Sequence, residues 1–298
     1  MQRKKCAIWL ILLLMVFFPG GCSEPAEEQP KKELPQEAAL TVMTQNLRVG
    51  ADDGAENDIF LRCDRFTALL EQYKPDLIGL QEYTDEWDFM LLDYLEQSDY
   101  EVVFEYRASG DREATPIMYN AKKLELISHS FWWLSDTPEV ESPSWDDGDG
   151  KRCRIVTECI FKERESGIEF VHINTHLGLT AFSQDESANL LRDRVAENYA
   201  DKPVFVTADF NFTEGSQSYI NLTADDLLTN SFYLATEFGN VCGTFIGFEE
   251  RASYDTVIDF VFVNGKVDTS YYGVLIEKPE GLFVSDHFAV LTKNTIRR

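Results

Sequence analysis

Apolar and polar positions along this chain follow two periods, and the period changes mark out its elements. Leu40-Thr41-Val42-Met43-Thr44-Gln45-Asn46-Leu47 alternates every second residue, which predicts a half-buried strand ending near Asn46. Between residues 58 and 73, Ile59, Phe60, Phe66, Leu69, Leu70 and Tyr73 form a helical stripe, with Asn57 as its expected N-cap and Lys74-Pro75 as its stop. Asp76 to Glu82 reads as a buried strand. Thr84 can cap a second helix to about Glu96, with Trp87, Leu91, Leu92 and Leu95 on one face.

The pattern then turns to strands: Tyr100–Arg107, Thr115–Tyr119 and Leu124–Leu134. Ser135 to Gly150 is a long acidic loop carrying Trp145. Arg154–Lys162 and Ile168–His176 predict a hairpin around Glu165-Ser166-Gly167. Glu186–Tyr199 predicts a helix, and 203–208 a buried strand ending in Ala208-Asp209-Phe210-Asn211. Residues 212–255 read as irregular. Strands at Thr256–Val263, Tyr271–Ile276 and Phe288–Leu291 close the chain. No internal repeat is visible.

The N-terminus changes the picture of where the domain begins. Arg3, Lys4 and Lys5 precede an apolar run from Ala7 to Phe18 and then Pro19-Gly20-Gly21-Cys22, the basic-then-apolar order of an export signal. The small residues ending in Cys22 resemble the lipobox of bacterial lipoproteins, which implies that residues 1–21 are a lipoprotein signal peptide, with Cys22 lipidated and anchored to the outer face of a bacterial cell membrane. Pro19 stands where an aliphatic residue is usual. An ordinary signal peptide or an uncleaved anchor is the alternative. Residues 22–38 are polar and rich in Pro and Glu, as a flexible tether would be. Residues 39–298 remain as one large α/β domain, expected to be monomeric.

The 298-residue chain has a formal net charge of −25. Losing the three basic residues of 1–21 would take it to about −28. Such a surface repels polyanions, so tight sequence-blind binding of duplex nucleic acid is disfavoured. Cys63, Cys153, Cys159 and Cys242 form no CxxC pair, which argues against structural zinc and leaves packed free thiols as the expectation.

Candidate chemistry sits where polar groups interrupt or end the apolar runs. These are Asn46, Glu82, Asn174 with His176, Asp209 with Asn211, Asp259 inside Val257-Ile258-Asp259-Phe260-Val261, and Asp286-His287. A charge inside an apolar strand is costly unless paired or metal-bound. Each has an ordinary reading too: Asp209 to Asn211 as an Asx turn, Asp259 as a surface-facing strand residue, His176 as a core histidine. Asp209 and Asn211, two residues apart, leave an extended strand on one face. Ligands of α/β sheets bind outside such strand ends.

Leu80-Gln81-Glu82, Asn174-Thr175-His176-Leu177, Ala208-Asp209-Phe210-Asn211, Ile258-Asp259-Phe260-Val261-Phe262 and Ser285-Asp286-His287 occur in that order. With Asn46 on the first strand, the set resembles the endonuclease/exonuclease/phosphatase superfamily, the deoxyribonuclease I-like fold. Ala208 departs from it, standing where a glycine is usual. The resemblance implies a four-layer α-β-β-α sandwich of two mixed sheets and a divalent-metal-dependent phosphoester hydrolase. It implies Mg²⁺ or Mn²⁺ held by Asn46, Glu82 and Asp286. Catalysis would fall to His176, Asp209, Asn211, Asp259 and His287, with Asp209 on the attacking water and His287 as base or cationic phosphate ligand. Asn174 and Arg154 would bind the phosphate, Arg154 because a guanidinium fits two oxygens; a surface ion pair with Glu158 is its alternative. The expected substrate is a small, sugar- or lipid-borne phosphoester. An extracellular nuclease and an inactive binding module are the alternatives. Trp145 and one ring of Trp132-Trp133 are expected to offer a stacking surface.

Overall fold

The computed structural model describes residues 34–146 and 152–298. Cys22, the signal sequence and Lys151 lie outside these residues. In chain order the strands are β1 (Glu37–Asn46), β2 (Leu77–Gln81), β3 (Tyr83–Thr84), β4 (Tyr100–Val103), β5 (Tyr106–Ala108), β6 (Asp111–Ala114), β7 (Ile117–Asn120), β8 (Leu124–Trp133), β9 (Ile155–Glu163), β10 (Glu169–His176), β11 (Val204–Asp209), β12 (Thr229–Asn230), β13 (Glu237–Phe238), β14 (Asp259–Val263), β15 (Val267–Leu275) and β16 (Ala289–Arg297). The helices are α1 (Ile59–Tyr73), α2 (Asp85–Gln97), α3 (Ala181–Asn198) and α4 (Gln217–Leu222).

Two mixed sheets carry the fold: a seven-stranded one ordered β13-β15-β16-β1-β2-β7-β4 and a six-stranded one ordered β12-β14-β11-β10-β9-β8. Strand alternation divides their side chains among three cores. Leu40, Val42, Leu77, Phe170, Phe205, Val261 and Val263 pack between the sheets. Met43, Ile78 and Leu80 turn the other way, onto Phe66, Leu70, Trp87 and Leu91 of α1 and α2. Val171, Ile173, Val206, Phe260 and Phe262 turn onto Ala188, Leu191 and Val195 of α3 and Leu222 of α4. This is the expected four-layer sandwich. Each fully buried Val, Leu, Ile or Phe contributes about 1.5–3 kcal/mol, so the three cores dominate the fold's stability.

β1 starts at Glu37, paired with Arg297 of β16, two residues inside the stretch read as tether. Helix α3 begins at Ala181, five residues ahead of the predicted start, because the Thr180 side chain accepts from the backbone N–H of Ser183 and caps it. The cap of α1 is Asp58, whose carboxylate accepts from the Phe60 N–H, one residue past the predicted Asn57. Cys63, Cys153, Cys159 and Cys242 are free thiols.

Register lines up the chemistry. β10 and β11 run parallel with His176 opposite Asp209, and β11 and β14 run antiparallel with Asp209 opposite Asp259. One row across the six-stranded sheet therefore carries His176, Asp209 and Asp259, all on the face turned to the other sheet. Across the gap, β1 and β2 run parallel with Asn46 opposite Gln81, so Asn46 and Glu82 end on the same rim.

Candidate active site

The rim residues line a cleft of about 720 Å³ that contains Glu82, Glu113, Arg154, His176, Asp209, Asn211, Asp286 and His287. Its centre is one carboxylate oxygen. Asp209 Oδ2 accepts from Asn46 Nδ2 at 2.9 Å. It also lies 3.5 Å from His176 Nε2 and 3.7 Å from His287 Nε2. Asp209 Oδ1 accepts from the Asn211 N–H at 3.0 Å, so the Asx turn forms and the site forms with it. Asn211 takes a left-handed backbone, φ 53°, a conformation asparagine tolerates well. Phe210 between them is buried, with its ring 5.1 Å from Phe262 and 5.9 Å from Phe260, and this anchors the strand end.

Asp259 is fully buried and does not face solvent. Its Oδ2 accepts from His287 Nδ1 at 2.8 Å. Burial opposes charge on His287, but Asp259 and then Asp209 more than offset it, and its pKa is raised. His287 is therefore an imidazolium at neutral pH, with its Nε2–H turned to the cleft. Asp209 is pushed the other way for a carboxyl: burial, then the Asp259 charge, raise its pKa. A carboxylate poised in this range suits proton transfer near neutral pH.

His176 differs from His287. Asn211 Nδ2 donates to the Leu177 carbonyl at 3.0 Å, which fixes the orientation of that amide. The same Nδ2 lies 3.0 Å from His176 Nε2, which must then accept. Burial, followed by the charges of Arg154 and Arg107, holds the His176 pKa well below its ordinary value. His176 is thus a neutral acceptor here, and donating from Nε2 to a phosphate would require the other tautomer. Among the described residues its Nδ1 has no hydrogen-bond partner, and it sits 3.9 Å from Glu113 Oε1. Both histidines that face Asp209 are consequently backed by a carboxylate, Asp259 for one and Glu113 for the other.

Glu113 carries no signal in the sequence. It lies on β6, within a small third sheet, and pairs with Arg107 at 2.7 Å. Arg48 is a second residue that sequence reasoning missed. It follows β1 with φ 60°, and its guanidinium makes two 3.0 Å hydrogen bonds to Asp53. Phe245, also unanticipated, lines the cleft with its ring 5.1 Å from that of His287.

Two expectations are corrected, and Asn46 is placed. Asn174 is buried below the cleft: its Nδ2 donates to the Leu80 and Pro116 carbonyls and its Oδ1 accepts from Gln81 and Thr207. Every hydrogen-bonding position on it is filled by protein, so it ties the sheets together and does not meet substrate. Asn46 turns its amide nitrogen to Glu82 Oε1 and Asp209 Oδ2, while its oxygen accepts from the Arg48 N–H. It braces both carboxylates, and its oxygen has one of two lone pairs on the Arg48 N–H, which keeps it a candidate metal ligand. The tryptophans do not line the cleft: Trp132 is buried, Trp133 Nε1 donates to the Arg107 carbonyl, and Trp145 Nε1 donates to Asp136. Arg154 does line it. Glu158, its alternative partner, is engaged by Ser130, Trp132, Arg194 and Tyr199.

Glu82 and Asp286 are the oxygen donors fit for a hard divalent ion. Glu82 stands in a left-handed backbone, φ 55°, fixed by the Val49 N–H on its Oε2. Asp286 has its pKa raised by burial and, against the His287 charge, by Glu82, which is crowding that a cation relieves. Asp209, Asp259 and His287 also approach within 4.8 Å of one another. His287 Nδ1 is committed to Asp259, so this trio reads as a proton relay.

A family model described as the endonuclease/exonuclease/phosphatase family matches residues 43–287. An uncharacterized protein of Acanthamoeba polyphaga mimivirus is 28% identical over 254 residues, covering 77% of this chain and 90% of its own. Among solved structures, an endonuclease/exonuclease/phosphatase family protein from Bacteroides thetaiotaomicron superposes with TM-score 0.79 at 27% identity, covering 88% of this chain and 96% of that one. A mannosyl-6-phosphatase of the same organism gives TM-score 0.77 at 27% identity, over 86% of this chain and 99% of that one. With the ordered motifs on the strand ends where that fold builds its site, this chain belongs to the endonuclease/exonuclease/phosphatase family.

Proposed function

We propose that the chain is a divalent-metal-dependent hydrolase of a small phosphoester, a sugar phosphate foremost. The observation that carries this is the convergence of Asn46, His176 and His287 on one oxygen of Asp209, beside the Glu82–Asp286 carboxylates. Glu82 and Asp286 would hold Mg²⁺ or Mn²⁺, which would supply charge neutralisation at a phosphoryl oxygen. Asp209 orients an attacking water and takes its proton. Asn211 holds the turn on which Asp209 sits. His287, cationic through Asp259, donates from Nε2 to a phosphoryl or leaving-group oxygen. Arg154 grips the phosphate.

Two observations support a small ester. The mannosyl-6-phosphatase neighbour acts on a phosphate borne by a sugar. The chain's charge of −25 opposes a polyanion, and the cations that line the cleft among the described residues, Arg48, Arg152, Arg154 and the His287 imidazolium, are too few for a duplex groove. Export and a lipid anchor on Cys22 would put this activity outside the cell membrane. The test compares sugar phosphates and other small mono- and diesters with plasmid and oligonucleotide DNA, at matched metal and low salt. Turnover of a small ester with weak DNA cleavage is expected. Efficient DNA cleavage with weak activity on every small ester would replace this reading with a nuclease.

A further inference from the structure

The loop after β1 puts a fixed positive charge against the two carboxylates read as metal ligands. Arg48 Nε lies 3.7 Å from Asp286 Oδ2, and its Nη1 lies 4.0 Å from Glu82 Oε2. The two 3.0 Å hydrogen bonds to Asp53 prevent it from closing fully on either. The loop is itself gripped from behind. Arg62, fully buried, donates to the carbonyls of Leu47, Arg48, Val49 and Asn57, and Trp87 Nε1 donates to the Arg48 carbonyl at 2.9 Å. The left-handed backbone at Arg48, disfavoured for a residue with a Cβ, persists because these contacts over-determine it. A guanidinium that served only to make a surface ion pair would need none of this.

We propose that Arg48 is a tethered counter-ion of the metal-binding carboxylates, held by Asp53 so that it sets how tightly Glu82 and Asp286 take their ion. Without the ion it neutralises part of their mutual repulsion. A cation held by Glu82 and Asp286 would face the like charge of Arg48, which Asp53 keeps a few ångströms from both carboxylates. The site therefore binds its metal more weakly than the same carboxylates would alone. Arg48 is a positioning residue in this role. The inference rests on the proposed metal-dependent reading of Glu82 and Asp286.

The test is the Kd for Mn²⁺, measured by calorimetry on the chelator-treated protein. Arg48→Gln and Arg48→Met, two neutral side chains of similar length, are expected to bind Mn²⁺ about tenfold more tightly than wild type or better. Arg48→Lys, which keeps the charge, should stay within about threefold. Unfolding by urea in chelator shows that each variant is folded, and with two neutral variants the loss of one to misfolding leaves the test standing. Unchanged or weaker Mn²⁺ binding in the folded neutral variants would overturn the inference and leave Arg48 as a phosphate ligand or a loop brace. No Mn²⁺ binding by wild type would overturn both the inference and the metal reading beneath it.

Discussion

Two buried polar networks share the same strands of this protein, one between the sheets and one at their rim. In the lower one, His172 Nε2 meets Thr207 Oγ1 at 2.7 Å, Thr207 donates to Asn174, and Asn174 reaches Gln81 and the Leu80 and Pro116 carbonyls. Because Thr207 spends its hydroxyl proton on Asn174, it accepts from His172. Gly79 makes the room, since a Cβ there would meet Thr207 Oγ1 at 2.0 Å and Asn174 Oδ1 at 2.4 Å. Two residues further along the same strands, His176 and Asp209 belong to the upper network. The lower network is uncharged and almost closed on itself. The upper one holds ionisable groups under mutual strain, with nitrogens aimed into open space. Both networks are buried and polar; what separates structure from chemistry is whether the valences are filled.

The largest expected effects come from breaking the upper network. Asp209→Asn and His287→Ala should each lower turnover by about 10²–10⁴-fold. Asp209→Asn should leave stability unchanged or slightly raised, since it removes a buried charge that Asp259 already opposes. Activity and urea denaturation on the same samples check this, and near-normal turnover in either variant would remove that residue from the mechanism.

The lower network should respond in the opposite sense. Asn174→Leu leaves two carbonyls, the Gln81 amide and the Thr207 hydroxyl without their partner, at about 1–3 kcal/mol for each buried group left unpaired. A loss of about 3 kcal/mol or more is expected, with turnover of the folded protein within about tenfold of wild type. A variant of normal stability and abolished turnover would return Asn174 to the substrate.

The smallest effect is a pH slope. Burial lowers the His172 pKa to about 3 from an ordinary value of 6.5. Between those values the unfolded chain binds the extra proton and the folded one does not, so His172 makes stability rise with pH and fall as pH drops from 6.5 toward 3. The contribution is at most about 1.4 kcal/mol per pH unit. Urea-derived stability as a function of pH should show a shallower acid limb in His172→Gln; an identical limb would mean that His172 is not buried neutral.

This contrast also explains what could be read from the chain. Asp209, Asp259, Glu82, Asp286 and His287 announce themselves as charges at the ends of apolar runs, and it is the register between β10, β11 and β14 that lines Asp209 up with Asp259. Asn174 and His176 share one face of β10 by alternation. Which of them reaches the rim depends on how far β2 and the Pro116 turn cover β10, a matter of sheet packing with no local signature. Glu113 and Arg48 were hidden for a related reason. Each is an ordinary charged residue in a polar stretch, Asp111-Arg112-Glu113 and Leu47-Arg48-Val49-Gly50, and only the folded cleft gives it a partner. Helix α3 was placed late because its first turn, Ala181-Phe182-Ser183-Gln184, lacks an apolar stripe, although Thr180 is a legible cap.

The most direct measurement is phosphate release from a sugar phosphate by the purified protein, followed with added Mg²⁺ or Mn²⁺, after chelation, after metal is restored, and in Asp209→Asn. The account predicts turnover that disappears with chelation, returns with metal, and, with metal present, falls by about 10²–10⁴-fold in the variant. Turnover that survives both chelation and Asp209→Asn would contradict it.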